Sequence, residues 1–303
     1  MSGGRTGLRA VNGVLLLDKP TGITSHTAVQ RVRRLYEAAK AGHTGTLDPL
    51  ATGLLPVCLG EATKFSHLLL EADKSYLASI RLDLTTRTGD LEGEVTGRFP
   101  VNVTLSEVER ALRDFTGDIL QTPPMYSAIK HQGQPLYKLA RAGLELPREP
   151  RRIFISSLVL IRLEGNELTV RVHCSKGTYV RVLAEDIGRK LGCGGSLSAL
   201  RRELVGGFAL SSGAVTLDQL ETSAPADRDR LLLPADALVA TLPRFDLDAS
   251  ETRQLSQGQP VERRGALAAE GLARIYGPDS EFLGVAELTG PGRIVPKRLT
   301  ARS

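Results

Sequence analysis

The run GHTGTLDPLATGLLPVCLG, Gly42 to Gly60, constrains what this chain can fold into more than any other stretch. It sets a single carboxylate, Asp48, in a segment dense in glycine and threonine and directly before Pro49. Proline pushes its predecessor towards extended geometry, which places Asp48 at a bend and not inside a helix. Gly42, Gly45 and Gly53 permit left-handed backbone or the close approach of another body. The following residues, Leu54 to Leu59, are apolar, few and closed by Gly60, the pattern of a buried strand. A carboxylate carried on a glycine-lined loop beside a core strand is an active-site layout. Asp-Pro also suits a helix start, with Asp48 as N-cap and Pro49 at the first helical position. Thr52-Gly53 would end such a helix after about one turn. Spacing alone leaves both readings open.

The rest of the chain narrows the class. A length of 303 residues holds one large domain, or a large one and a small one. Lysine and arginine exceed aspartate and glutamate by 39 to 34, a modest basic excess that suits a polyanionic partner without requiring one. The excess is clustered: Arg31, Arg33 and Arg34; Arg148, Arg151 and Arg152; Arg201 and Arg202; Lys297 and Arg298. Any one cluster is first a solvated face; four of them favour nucleic acid. Cys58, Cys174 and Cys193 lack C-x-x-C spacing and read as buried thiols of a reducing cytoplasm. The five histidines are scattered, and no set has metal-ligand spacing. No apolar run approaches the roughly 18 residues of a membrane span, and the N-terminus has no apolar signal core.

In order, residues 1–10 are polar, glycine-rich and expected to be loose. Gly13 to Leu17 reads as a strand closed by the turn DKPTG, and Ser25 as the cap of a helix with an apolar stripe of Val29, Val32 and Tyr36. Lys74 to Leu84 alternates as a strand, with Tyr76 near its start. Thr104 to Glu107 forms a capping box for a helix carrying Val108, Ala111, Leu112 and Phe115. Residues 121–152 hold five prolines and many basic side chains, a long connection of the functional or mobile kind. Ile153 to Leu163 and Glu167 to Cys174 make a hairpin about Glu164-Gly165-Asn166. A helix follows, begun at Gly177-Thr178, with Arg181 in its first turn; taken alone, that arginine is an ordinary salt-bridge partner. Leu197 to Phe208 reads as a further strand. Beyond about Thr241 the texture changes to a short helix, Ala249 to Gln257, and the strands Gly271–Tyr276, Phe282–Leu288 and Arg293–Leu299, joined by the turns GPDS and TGPG. No internal repeat is visible.

Several of these segments carry a resemblance. GHTGTLDPLATGLLPVCLGEATKF is similar to the signature of the TruB family of pseudouridine synthases, which modify the T-loop uridine of tRNA. LLLDKPTGITSH, KGTYVRVLAEDIG and LSALRRELVGGF resemble three further motifs of that family, and residues 121–152 resemble its inserted thumb loop. The last 60 or so residues are similar, by pattern only, to a PUA-type RNA-binding domain, with a plain β-barrel cap as the alternative.

The resemblance implies an α+β pseudouridine synthase fold: a central mixed, mainly antiparallel sheet flanked by helices over residues 1–240, then a small β-rich PUA-like unit over 241–303. It implies Asp48 as nucleophile, Tyr76 as stacking platform and candidate proton acceptor, and Arg181 as the ion-pair partner that keeps Asp48 charged and aimed. His43 would fill the gap left by an everted base. Tyr179, Leu200, Lys19, Arg201 and Arg202 would serve substrate or RNA contact, with Lys19 packed behind the site and the two arginines turned towards backbone phosphate. The isomerisation oxidises nothing and donates no group, so neither cofactor nor metal is implied. The expected partner is tRNA, through its T-arm and, at the C-terminal unit, its acceptor end. A cytoplasmic monomer with no membrane and no obligatory protein partner is expected. Two alternatives remain: a tRNA-binding or folding factor without catalysis on the same scaffold, and the guide-RNA-directed branch of the family.

Overall fold

The computed structural model describes residues 8–263, 270–290 and 292–301. The expected loose tail falls mostly outside them, as does the stretch 265–270 except Glu270, and Pro291 of the TGPG turn. The first part of the chain runs β1 (Gly13–Lys19), α1 (Ser25–Leu35), β2 (Ala41–His43), β3 (Thr52–Leu59), β4 (Lys74–Leu82), β5 (Leu84–Thr86) and β6 (Val95–Arg98). It continues with α2 (Leu105–Arg113), β7 (Gly117–Gln121), β8 (Lys130–His131), β9 (Gln134–Pro135), α3 (Leu136–Arg141), β10 (Arg151–Glu164), β11 (Glu167–Cys174) and α4 (Val180–Leu191). After these come β12 (Gly195–Val205), β13 (Phe208–Ala209), β14 (Val215–Thr216), α5 (Leu217–Thr222) and α6 (Pro225–Arg230). The last unit is β15 (Arg244–Asp246), α7 (Ala249–Ser256), β16 (Val261–Glu262), β17 (Gly271–Tyr276), β18 (Phe282–Thr289) and β19 (Arg293–Leu299).

One ten-stranded sheet organises the first 216 residues in the order β14-β1-β3-β12-β4-β11-β10-β7, with β2 on β3 and β13 on β12. Only β14–β1 and β3–β12 are parallel, so the sheet is mixed and mainly antiparallel, as the fold expectation has it. Its central strands read as unbroken apolar runs because both faces are covered. Leu15, Leu17, Leu55, Val57 and Leu59 enter one core with Ala28, Val29, Val32 and Tyr36 of α1 and with Leu183 and Ile187 of α4. Val14, Leu16, Leu54 and Cys58 enter a second core with Phe65, Leu69, Leu238 and Val239. The alternation is the period-two geometry of a strand, hidden in the sequence because both faces are apolar.

The parallel pairing of β3 with β12 and the antiparallel pairing of β12 with β4 bring three distant segments side by side. Gly53 is where β3 meets β12: it has φ +97°, and a Cβ there would strike the Arg202 backbone. Helix α4 lies close over the start of β12, where a Cβ on Gly188 would collide with the Gly194–Gly195 peptide.

A second, five-stranded sheet, β15-β17-β18-β19-β16, closes with α7 around Leu247, Leu255, Ile275, Leu288 and Ile294. It docks through aromatics. The Phe282 ring lies 5.2 Å from Phe65 and 5.6 Å from Tyr276, and the Tyr276 hydroxyl donates to Asp236 at 2.5 Å. Lys64 Nζ donates to the Leu299 carbonyl at 2.9 Å, and Val285 joins the second core of the large sheet.

Three local expectations are corrected. Thr24, not Ser25, caps α1. The Ser25 hydroxyl is instead buried against the backbone of Leu47, accepting its N–H at 2.8 Å and donating to its carbonyl at 3.0 Å. The strand from Lys74 stops at Leu82, because Asp83 takes φ +94°. The strand expected over Leu197 to Phe208 ends at Val205, where Gly206 at φ +55° turns the chain back as β13. The insertion at 121–152 is not featureless: it folds as the β8–β9 hairpin and α3.

Candidate active site

Asp48 lies between β2 and β3 and opens a tight turn in which Ala51 N–H donates to the Asp48 carbonyl at 3.1 Å. The helix-start alternative is not adopted. Its loop is fixed residue by residue: Ser25 clamps Leu47, Lys19 Nζ lies 3.5 Å from the Pro49 carbonyl, and Gly22 N–H donates to that carbonyl at 2.8 Å. With its backbone held, the side chain is turned towards α4.

Arg181 reaches Asp48 from the first turn of α4. Its Nε donates to Asp48 Oδ2 at 2.9 Å, while Nη1 donates to the Thr88 carbonyl and Nη2 to the Tyr126 carbonyl, each at 2.9 Å. The guanidinium is buried at 7% exposure, whereas the Asp48 side chain remains 43% exposed. A fixed fork donating to three acceptors from three loops is what arginine offers and lysine does not. One oxygen of Asp48 is thus anchored while the carboxylate stays open to solvent. Water still reaches it in the free protein, so the dry environment that covalent chemistry favours must come from a bound substrate.

A second carboxylate sits behind this pair. Asp90 Oδ2 lies 3.6 Å from Arg181 Nε and is as buried as the arginine; its Oδ1 accepts from Thr88 Oγ1 at 2.5 Å and from Glu92 N–H at 3.2 Å. The sequence reading passed over Asp90. The segment TTRTGD is a turn by composition, and only the fold carries it to Arg181; the one local signal is an acid directly after Gly89 in a threonine-rich turn. Gln121 was passed over too. It is buried, and its side chain binds both backbone groups of Tyr179.

The other expected residues divide. Tyr76 of β4 is 8% exposed; burial pushes its hydroxyl above the usual phenol pKa, and the nearby Arg202 opposes that shift. Leu200 of β12 is buried opposite Ala78, two residues along β4 from Tyr76. His43 ends β2, its Nδ1 accepting the Gly45 N–H at 3.2 Å; burial and the charge of Arg202 lower its pKa. Tyr179 caps α4, with its hydroxyl shifted upward by burial. These side chains belong to the elements that surround Asp48.

Lys19 and Arg202 depart from a direct RNA role. Lys19 is fully buried, donating to the carbonyls of Pro20 and Ile23 at 2.8 Å each, and burial lowers its pKa to about 8. It lies behind the loop, where the resemblance put it, and not on a surface. Arg202 is 1% exposed and donates to the carbonyls of Leu54 at 2.8 Å and Gly45 at 3.1 Å. Its guanidinium cannot reach a phosphate from there. Successive strand residues face opposite ways, so the two adjacent arginines could not both point outward. Arg201 is the outward one, paired with Asp18 at 2.7 Å and 40% exposed.

Comparison with known proteins is decisive on the family. The N-terminal domain of the TruB family pseudouridylate synthases matches residues 33–180. The tRNA pseudouridylate synthase B C-terminal domain matches residues 181–240, and the TruB pseudouridine synthase II C-terminal domain matches 243–300. A protein of Methylobacillus flagellatus named tRNA pseudouridine synthase B is 55% identical over 96% of both chains. One of the same name from Chromobacterium violaceum is 50% identical over 99% of this chain and 98% of its own. Among solved structures, a chain of a Cbf5-Nop10-Gar1 complex superposes with a TM-score of 0.71 at 26% identity, covering 95% of this chain and 84% of that one. The chain belongs to the TruB family and is thereby a pseudouridine synthase, an isomerase. Among the described residues no helix is long and apolar enough to cross a membrane.

Proposed function

We propose that this chain converts the T-loop uridine of tRNA, position 55, into pseudouridine, alone and in the cytoplasm. The observation that carries the reading is the ion pair: a half-exposed Asp48 held at 2.9 Å by a buried Arg181. In the reaction the N1–C1′ bond breaks, the uracil turns, a C5–C1′ bond forms, and the proton lost from C5 is balanced by one gained at N1. One ionised carboxylate to attack or stabilise the detached unit is the chemical requirement, and Asp48 is the candidate. The uracil must leave the base stack to reach it. Tyr76 is the candidate platform, since base–aromatic stacking contributes about 1–3 kcal/mol per base. Burial shifts its hydroxyl upward, which disfavours the phenolate that a base at C5 would need.

The relatives at half identity or more are named for tRNA, which supports that substrate. The basic insertion at 121–152 and the C-terminal unit are the candidate grips for the T-arm and the acceptor end. The likeness to a Cbf5 chain keeps one other reading in play, in which partner proteins and a guide are needed. A single assay separates them. The purified chain is incubated with unmodified tRNA transcript, with a T-arm minihelix, and with neither, and pseudouridine is mapped by carbodiimide modification. Stoichiometric conversion at one T-loop uridine in both RNAs, with no added protein, is the expected result. No conversion until guide RNA and accessory proteins are supplied would overturn the stand-alone reading.

A further inference from the structure

Arg181 is joined to the insertion twice, and only one of the joints is its own. Its Nη2 donates to the Tyr126 carbonyl, inside the insertion. The second joint lies two residues earlier. Tyr179 is the N-cap of α4, a position usually filled by serine, threonine, aspartate or asparagine, and it makes no side-chain cap bond. Gln121, the last residue of β7 and the point where the insertion departs, fills the gap from another element. Its Nε2 donates to the Tyr179 carbonyl at 3.1 Å, and its Oε1 accepts the Tyr179 N–H at 2.8 Å. The same carbonyl accepts the Leu183 N–H at 3.1 Å, the first hydrogen bond of the helix.

We infer that Gln121 is a positioning residue, clamping the first turn of α4 to the root of the insertion and so setting where Arg181 holds Asp48. The chemistry of the side chain fits the task narrowly. Matching both backbone groups of one residue takes a donor and an acceptor presented side by side, which the uncharged carboxamide of asparagine or glutamine supplies. Glutamate would keep the bond from the Tyr179 N–H and place an oxygen against the carbonyl; leucine would keep neither. Gln121 is 3% exposed, so water cannot replace the lost partners cheaply. The consequence is mechanical. Two contacts, those of Gln121 and Tyr126, link the insertion directly to the helix turn and the guanidinium that aim the carboxylate.

The inference rests on Asp48-dependent turnover being the right reading, and the test separates the two. In single-turnover reactions on tRNA at saturating enzyme, Gln121→Leu is expected to lose about tenfold to a hundredfold in rate, the scale of a misplaced reacting group. Its affinity for tRNA should stay within about twofold, as expected for a contact that serves the transition state and not uniform binding. If Gln121 acts through Arg181, the double variant Gln121→Leu/Arg181→Lys is no slower than Arg181→Lys alone. In the tRNA-free protein, amide exchange over residues 180–184 should quicken. A wild-type rate, additive losses, or unaltered exchange would each overturn the clamp. Should Gln121→Leu not fold, Gln121→Glu carries the same three measurements. An inactive wild type with quickened exchange in the variants would instead sink the functional reading and leave the clamp standing.

Discussion

Two buried guanidiniums hold one loop, and they do so in different company. Arg202 spans it, donating to the carbonyls of Gly45 near its start and of Leu54 beyond its far end; among the described residues it makes no salt bridge. Arg181 meets its middle, between the carboxylates of Asp48 and Asp90. A buried charge with only dipoles around it is costly to desolvate, and burial accordingly lowers the pKa of Arg202. Such a residue persists for the shape it imposes: five donors gathering carbonyls that would otherwise go unbonded. Arg181 also gathers carbonyls, but it pairs in addition with two carboxylates, one of them the group proposed to react. One guanidinium sets the form of the loop and the other sets the charge that the loop presents.

That division predicts an order of effects. Asp48→Asn keeps the shape and removes the charge, so turnover should fall by about a thousandfold or more, the scale seen when a reacting group is deleted. tRNA affinity, read by filter binding, should be retained. An asparagine variant with undiminished pseudouridine yield would end the catalytic assignment. Arg181→Lys comes next. A lysine keeps one charge but cannot serve Asp48, Thr88 and Tyr126 together, and a loss of about a hundredfold in single-turnover rate is expected. Arg202→Met should register chiefly as stability, lowering the urea unfolding free energy by about 1–3 kcal/mol as buried carbonyls lose their donor. If Arg202→Met instead slowed turnover as much as Arg181→Lys with unfolding unchanged, the two guanidiniums would have to be regarded as one catalytic unit.

The same pair shows what the sequence could and could not disclose. The Asp48 loop was legible because its signals are local: a proline that forbids helix before it, glycines at its bends and an apolar strand after it. The two central strands were legible as buried but not as two-faced, since a run such as VLLL gives no clue that alternate residues enter different cores. Arg181 became more than a salt-bridge candidate only through resemblance, because its partner is 133 residues away. Asp90 and Gln121 had no signal of that kind, and each acquires its role from a contact that the fold creates. Arg202 was misplaced for a different reason. Strand residues alternate in direction, and sending both Arg201 and Arg202 to phosphate ignored a rule that the sequence already supplied. Ser25 shows the limit of capping rules: with Thr24 beside it, the cap went to the neighbour and the hydroxyl was free to clamp Leu47.

Lys19 offers the smallest and sharpest probe of the comparison, because it is a shape-setting cation like Arg202 that can lose its charge. It gathers the carbonyls of Pro20 and Ile23 and lies near that of Pro49, immediately after Asp48. Burial pulls its pKa from 10.5 to about 8, against the opposing pull of the Asp48 charge. Below about pH 8 Lys19 is protonated in both folded and unfolded chains, and the full cost of burying the charge is present. Between about 8 and 10.5 the unfolded chain binds more protons than the folded one, so this residue makes stability rise with pH. Lys74 is shifted the same way, to about 8, and would contribute equally to any variant that retains it. The informative quantity is therefore the melting temperature of the wild type minus that of Lys19→Met, compared at about pH 7 and about pH 9.5. It should increase by a few degrees at the higher pH. A difference that stays constant would mean that Lys19 keeps its proton through the alkaline range, held by its carbonyls and by Asp48, and would move it from the company of Arg202 to that of Arg181.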